Sequence, residues 1–354
     1  MSKKKIITPA IFTVLLLLFL ISAQAVLMPK YMSKPYEGAL TGEYYSSEKN
    51  HQVVMIGDCE LYENISTMTL WRDFGITSYI RGSAQQLIWQ SYYLLEDTLK
   101  HEKPDVVIFS VLAMKYNEPQ KEEYNRMTID GMKPSVTKLN AVRASMTDEE
   151  KSGSYIFPLL RYHERWKTLS GEDFKYLFKK RAISHNGFMM RCDIKPADWI
   201  PDPERLEDYA LGENAYKYLD KMTKLCKDNN IKFMLLKAPS LFPPWYDEWD
   251  AQMVDYAKKN GLVYLNTLQK IEEIGLDFSV DTYDAGLHLN CQGSEKTAKY
   301  LGQVLKDEYN LADNSSDENL KKIWDKKGIL YDAQKQAQLK EIEETGAVKT
   351  FFAD

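Results

Sequence analysis

The stretch that most constrains this chain is His51 to Leu70, HQVVMIGDCELYENISTMTL. Val53 to Ile56 form a short apolar run, which reads as a buried strand. Gly57-Asp58 ends that run, and a helical pattern begins near Leu61. A strand that turns directly into a helix places the next side chain at the carboxyl edge of a sheet. Open α/β sheets bind their ligands at that edge. The side chain held there is Cys59, at the amino end of a helix whose dipole favours a thiolate. Cys59 is therefore a candidate nucleophile.

The rest of the chain repeats the alternation. Further strands are expected at 77–80, 105–112, 231–237 and 262–265, with helices at 61–74, 86–100, 213–229, 245–260 and 294–309. The run DVVIFSVL (105–112) is apolar nearly throughout, as suits the middle of a parallel sheet. Five strands with interleaved helices predict an α/β protein, a flavodoxin-like three-layer sandwich. Residues 117–206 interrupt the pattern. They are polar and rich in Met, Tyr and Trp, with helical pieces near 135–146 and 159–179, and read as an inserted cap over the sheet edge. The expected organisation is an amino-terminal segment 1–30, a polar linker 31–50, the α/β domain 51–310 and a charged tail 311–354. That tail carries a helix from about 317 to 343, whose alternating charges read as a solvated face.

Length allows one large core, or one core with an insertion. The net charge of −5 shows no basic excess of the kind nucleic-acid binding needs. Four cysteines occur, at 59, 192, 226 and 291, without CxxC or zinc spacing, so no metal or other cofactor is expected. Cys226 falls on the apolar side of a helix; Cys192 and Cys291 leave a disulfide open. Lys3 to Lys5 precede residues 6–29, which carry no charge. Those 24 residues would span about 36 Å as a helix, enough for a bilayer core. The lysines keep the amino end in the cytoplasm and send the body outside. The competing reading is a signal peptide cleaved at Ala23-Gln24-Ala25, secreting the protein. Continuation of the apolar run through Val26, Leu27 and Met28 favours a retained anchor in the cell membrane.

The partner stretch is Asp281-Thr-Tyr-Asp284-Ala-Gly-Leu-His288-Leu-Asn290. A nucleophile needs a base within hydrogen-bond reach, and the base needs an acceptor that holds its tautomer. His288 and Asp284 supply both, with Asp281 as the fallback acid. Asp58, adjoining Cys59, would raise the thiol pKa against the helix dipole.

Taken together, GDCELYENI and DTYDAGLHLN resemble the SGNH/GDSL hydrolases, over roughly residues 50–310. The closer likeness is to the membrane-tethered branch that includes teichoic-acid D-alanyl transfer and alginate O-acetyltransferase accessory proteins. Cysteine stands where the family has serine, and the Asp-to-His spacing is four rather than three. The resemblance implies the SGNH fold and acyl-ester chemistry: O-acyl transfer or ester hydrolysis on a cell-wall or extracellular polysaccharide. It also implies a membrane-bound O-acyltransferase as partner. The oxyanion donors implied are the backbone N–H of Cys59, Gly82 at the end of the second strand, and an Asn after the third. Here Val111 to Met114 replaces the Gly-x-Asn-Asp block, and the nearest amide is Asn117. Lys237, ending the fourth strand, is a candidate to hold an anionic or carbonyl group, unless it is a surface lysine. Trp166 and Trp245 are candidates to stack on sugar rings. If cysteine marks a decayed serine site, the alternative is a non-catalytic glycan-binding or scaffolding protein.

Overall fold

The computed structural model describes residues 3–29, 39–178 and 181–352. Five parallel strands form one sheet: β1 (Val53–Gly57), β2 (Ser78–Gly82), β3 (Val106–Ser110), β4 (Lys232–Lys237) and β5 (Val263–Asn266), in the order β2-β1-β3-β4-β5. The chain steps from β1 outward to β2 and then returns past β1 to β3. That reversal opens a crevice at the carboxyl ends of β1 and β3.

Period-two side chains divide the core. Val53, Met55, Val106 and Ile108 face one layer, and Val54, Ile56, Val107 and Phe109 face the other. An apolar helix, α1 (Lys3–Leu27), precedes the sheet. Within the domain follow α2 (Cys59–Tyr62), α3 (Thr67–Phe74), α4 (Ile88–Thr98), α5 (Glu213–Asp228), α6 (Asp247–Asn260) and α7 (Cys291–Tyr309), with α8 (Glu318–Thr345) last. Helices α3, α7 and α8 cover the first face, and α4, α5 and α6 the second. The architecture is the three-layer α/β sandwich expected from the strand pattern.

Four expectations change in detail. The single helix expected over 61–74 is two, because Ser66 starts α3 afresh by accepting the N–H of Thr69 at 3.3 Å. Part of the expected linker, 31–38, lies outside the described residues. Its remainder folds: Leu40–Glu43 is a helical turn, with Leu40 and Tyr44 buried. The carboxyl-terminal helix is no solvated tail. Trp324 and Tyr331 are buried, and Trp324 stacks on Trp71 of α3 with ring centroids 5.3 Å apart. Charge alternation hid this face because its aromatic positions are widely spaced among lysines. Finally, all four cysteines are free thiols. The buried Cys192 and Cys291 thiols lie close enough to influence each other's ionisation.

The insertion is built of short helices, among them Glu122–Ile129 and Val136–Ser145, the second packed on α4. Its return run serves the sheet and the crevice. Asn186 O accepts from Ile80 N at the outer strand β2, and Met189 N donates to Tyr62 O at 2.7 Å. Lys195 N then donates to Thr282 O at 2.9 Å.

Candidate active site

The turn from β1 into α2 is set by close approach. A Cβ on Gly57 would stand 2.6 Å from the Cβ of Ser110 and 2.9 Å from Leu61 Cδ1. Only glycine lets the ends of β1 and β3 meet here. Asp58 is the N-cap, its Oδ1 accepting from Glu60 N at 3.2 Å. Cys59 is thus the first residue of α2, part-buried, with its N–H among those a helix start leaves without an intrahelical acceptor.

His288 arrives from the opposite side, two residues before Asn290, whose side chain caps α7 by accepting from Gln292 N and Gly293 N. Ala285 (φ +65°) and Gly286 (φ +94°) reverse the chain between Asp284 and His288. This reversal lets one carboxylate hold the histidine twice. Asp284 Oδ2 lies 2.6 Å from His288 Nδ1, and Oδ1 accepts the His288 backbone N–H at 2.7 Å. Asp281 is elsewhere: it is fully buried and paired with Lys296 at 2.6 Å.

Two residues that the sequence reading passed over join the blocks. Glu63 Oε2 is 3.3 Å from His288 Nδ1 and also accepts from the Tyr283 hydroxyl. The fully buried Asn64 accepts from Leu289 N at 2.7 Å and donates to Ser240 Oγ at 3.0 Å. Both belong to the turn that follows Cys59, so the segment bearing Cys59 reaches across and grips the histidine's. Their position four and five residues beyond Cys59 was the only available signal. Glu63, Asp284 and His288 present ligand atoms within 4.8 Å of one another. The hydrogen bonds just given occupy them, so the group reads as an imidazole clamp.

The electrostatics follow from burial and these partners. Burial pushes the Cys59 thiol up to about 11; His288 draws it down, and Asp58 and Glu63 oppose that pull. Burial disfavours the imidazolium of His288, but Glu63, Cys59 and Asp284 outweigh it and hold its pKa well above the ordinary 6.5. Among the described residues, His288 Nε2 is buried without a hydrogen-bonding oxygen or nitrogen, and Cys59 is among the groups that act on its charge. Asp58 is raised to about 6, by burial and then by Glu60, against the pull of Lys115.

The remaining candidates fall in different places. Gly82 is in register with Gly57, and a Cβ there would meet Tyr62 Cδ1 at 2.7 Å and Gly57 O at 3.0 Å. It therefore lies at the carboxyl edge beside the turn bearing Cys59. Asn117 is exposed and serves α5 instead, its Oδ1 accepting from Asn214 N at 2.9 Å. Lys237 is neither a surface lysine nor open to a ligand. It is fully buried, and its Nζ is bound by Glu60 Oε1 at 2.6 Å and by Ala238 O at 2.7 Å. It fastens the residue next to Cys59 to the end of β4. Trp245 donates to Asp250 at 3.1 Å and packs edge-on against Trp249. Trp166 is exposed on a turn that touches the end of α1.

Lys115, on the short turn Val111–Lys115 that leaves β3, is a cation close to Cys59. Burial lowers its pKa, while Asp58, Glu60 and Cys59 act to raise it. It directly follows Val111–Met114 in the chain.

No family model matches the chain, and no curated protein matches it. Among solved structures it is similar to a GDSL-like lipase from Bacteroides thetaiotaomicron, at 14% identity and a TM-score of 0.35, over 77% of this chain and 98% of that one. It is similar also to a protein from Desulfitobacterium hafniense described as lipolytic and of the G-D-S-L family. There the identity is 14% and the TM-score 0.35, over 72% of this chain and 100% of the other.

Proposed function

We propose that this chain is an SGNH-type acyl-transfer enzyme working through Cys59, His288 and Asp284. The observation that carries the reading is the doubly held histidine, whose Nε2 is left for the thiol at the start of α2. In the reaction, Cys59 gives its proton to His288 Nε2 and the sulfur attacks an acyl carbonyl. Asp284 and Glu63 stabilise the imidazolium that forms. Collapse of the tetrahedral adduct breaks the acyl–oxygen bond, and the departing alkoxide takes the proton from His288. The thioester on Cys59 then passes to an acceptor hydroxyl, which His288 deprotonates, or to water. The developing oxyanion would meet the Cys59 N–H and the cation of Lys115. Removing a single such donor typically costs about 3–4 kcal/mol of transition-state stabilisation.

The family resemblance supports the finer reading: O-acyl transfer to or from a cell-wall or extracellular polysaccharide, with a membrane-bound O-acyltransferase supplying the acyl group. Helix α1 contains a span, Pro9–Leu27, long and apolar enough to cross a membrane. We take it as a retained anchor with the domain outside.

The test is covalent. Mass spectrometry of the protein after incubation with an acyl donor should find the acyl group on Cys59, and Cys59→Ala should abolish both adduct and turnover. One observation favours a second reading, a non-catalytic glycan-binding protein: burial and two carboxylates hold the thiol protonated. Absence of adduct and of activity in both the native chain and Cys59→Ser would leave that reading standing.

A further inference from the structure

The short helices of the insertion carry large apolar side chains that stay exposed among the described residues. Phe157 is 63% exposed, Leu160 64%, Trp166 66%, Phe174 49% and Phe178 91%. Large contiguous apolar surface on a soluble domain marks an interaction site. Its position identifies the partner. Three pieces of this segment, Leu159–Tyr162, His163–Lys167 and Gly171–Lys175, touch α1. Arg165 Nη1 donates to Leu27 O at 2.8 Å, on the last residue of α1. A cavity of about 510 Å3 extends the junction, lined by Gln24 and Met28 on one side and by Leu139, Ile156 and Pro158 on the other.

If Pro9–Leu27 spans the bilayer, its final turn sits at the outer interface, and whatever is bonded to that turn sits at the same depth. The exposed aromatic and aliphatic groups then continue the uncovered apolar surface of α1 into the headgroup layer. Tryptophan is favoured at that level. Arg161, Lys167 and Lys175 stand among them with 49%, 54% and 74% of each side chain in solvent, each paired with a glutamate (Glu122, Glu164 and Glu172), so the polar groups here are mixed in charge and face the headgroup level. We infer that residues 152–178 form an interfacial foot that lies in the outer leaflet and seats the α/β domain on the membrane. The inference rests on α1 being a retained anchor.

Photo-crosslinking in the full-length chain in its membrane tests this. The photoreactive p-benzoylphenylalanine is placed at Phe157, Phe174 or Phe178, and for comparison at Ile329, which is 69% exposed on α8. Lipid adducts, identified by mass, should form at the three insertion positions several-fold more than at 329. Equal yields at all four positions overturn the inference, as do adducts to protein alone, which would assign the surface to a protein partner. Full-length protein in the membrane without lipid adducts overturns the foot and leaves the anchor intact. A soluble chain beginning near Val26 overturns the anchor, and the foot with it.

Discussion

Glu63 changes what the histidine does with pH. To accept the Cys59 proton, His288 must be neutral, and its pKa lies well above 6.5 because Glu63, Cys59 and Asp284 together outweigh burial. The active fraction therefore grows as pH rises through the raised pKa. The limb of kcat/KM should climb above neutrality rather than near pH 6.5. Glu63→Gln removes one carboxylate, so the same limb should shift to lower pH; an unmoved limb would deny Glu63 this role. Asp284→Asn should instead lower kcat/KM on the order of 10^3–10^4-fold, by analogy with an acid that fixes a catalytic tautomer. At this scale the sequence pointed to Cys59, Asp284 and His288 because each sits at a predicted element boundary. Glu63, Asn64 and Lys115 were passed over because their roles depend on contacts between distant segments. Lys237 misled for a related reason. A lysine that ends a strand reads as exposed until its buried partner, Glu60, is known.

Among the elements, α8 carries more than its composition suggests. Its aromatic face closes the layer formed by α3 and α7, with Tyr331 donating to Glu295 at 2.7 Å and Trp324 stacked on Trp71. Trp324 is 1% exposed. Trp324→Ala should therefore cost about 3–5 kcal/mol of stability, the range for deleting a buried large aromatic. Chemical denaturation should show this as a lower midpoint, and an unchanged midpoint would mean that α8 is not part of the cooperative unit. The strands were legible to within two residues or so at each end, because each is a short apolar run bounded by polar or glycine residues. The break between α2 and α3 was not, since a continuous helical pattern runs through it. Asn64, held by Leu289 and Ser240, draws the chain out of the helix there, and Ser66 caps the new one.

For the whole molecule, location turns on the apolar span Pro9–Leu27 of α1, long enough to cross a membrane. If it is retained, the full-length protein should stay in membranes through a high-salt wash, and recovery of a soluble form starting near Val26 would show cleavage instead. The sequence by itself determined the α/β class, the order of the elements and the two blocks that carry the candidate chemistry. These are local properties, written in hydrophobic period, in breaks at glycine and in the residue that follows a strand. Only the tertiary structure decided which carboxylates hold His288, where Lys237 and Asn117 are spent, and that the charged carboxyl-terminal helix buries one face. Those depend on pairings over long sequence separations, such as Glu63 with His288 or Trp71 with Trp324. Hydrophobic burial and desolvated charge choose such pairings only once the sheet has brought the segments together.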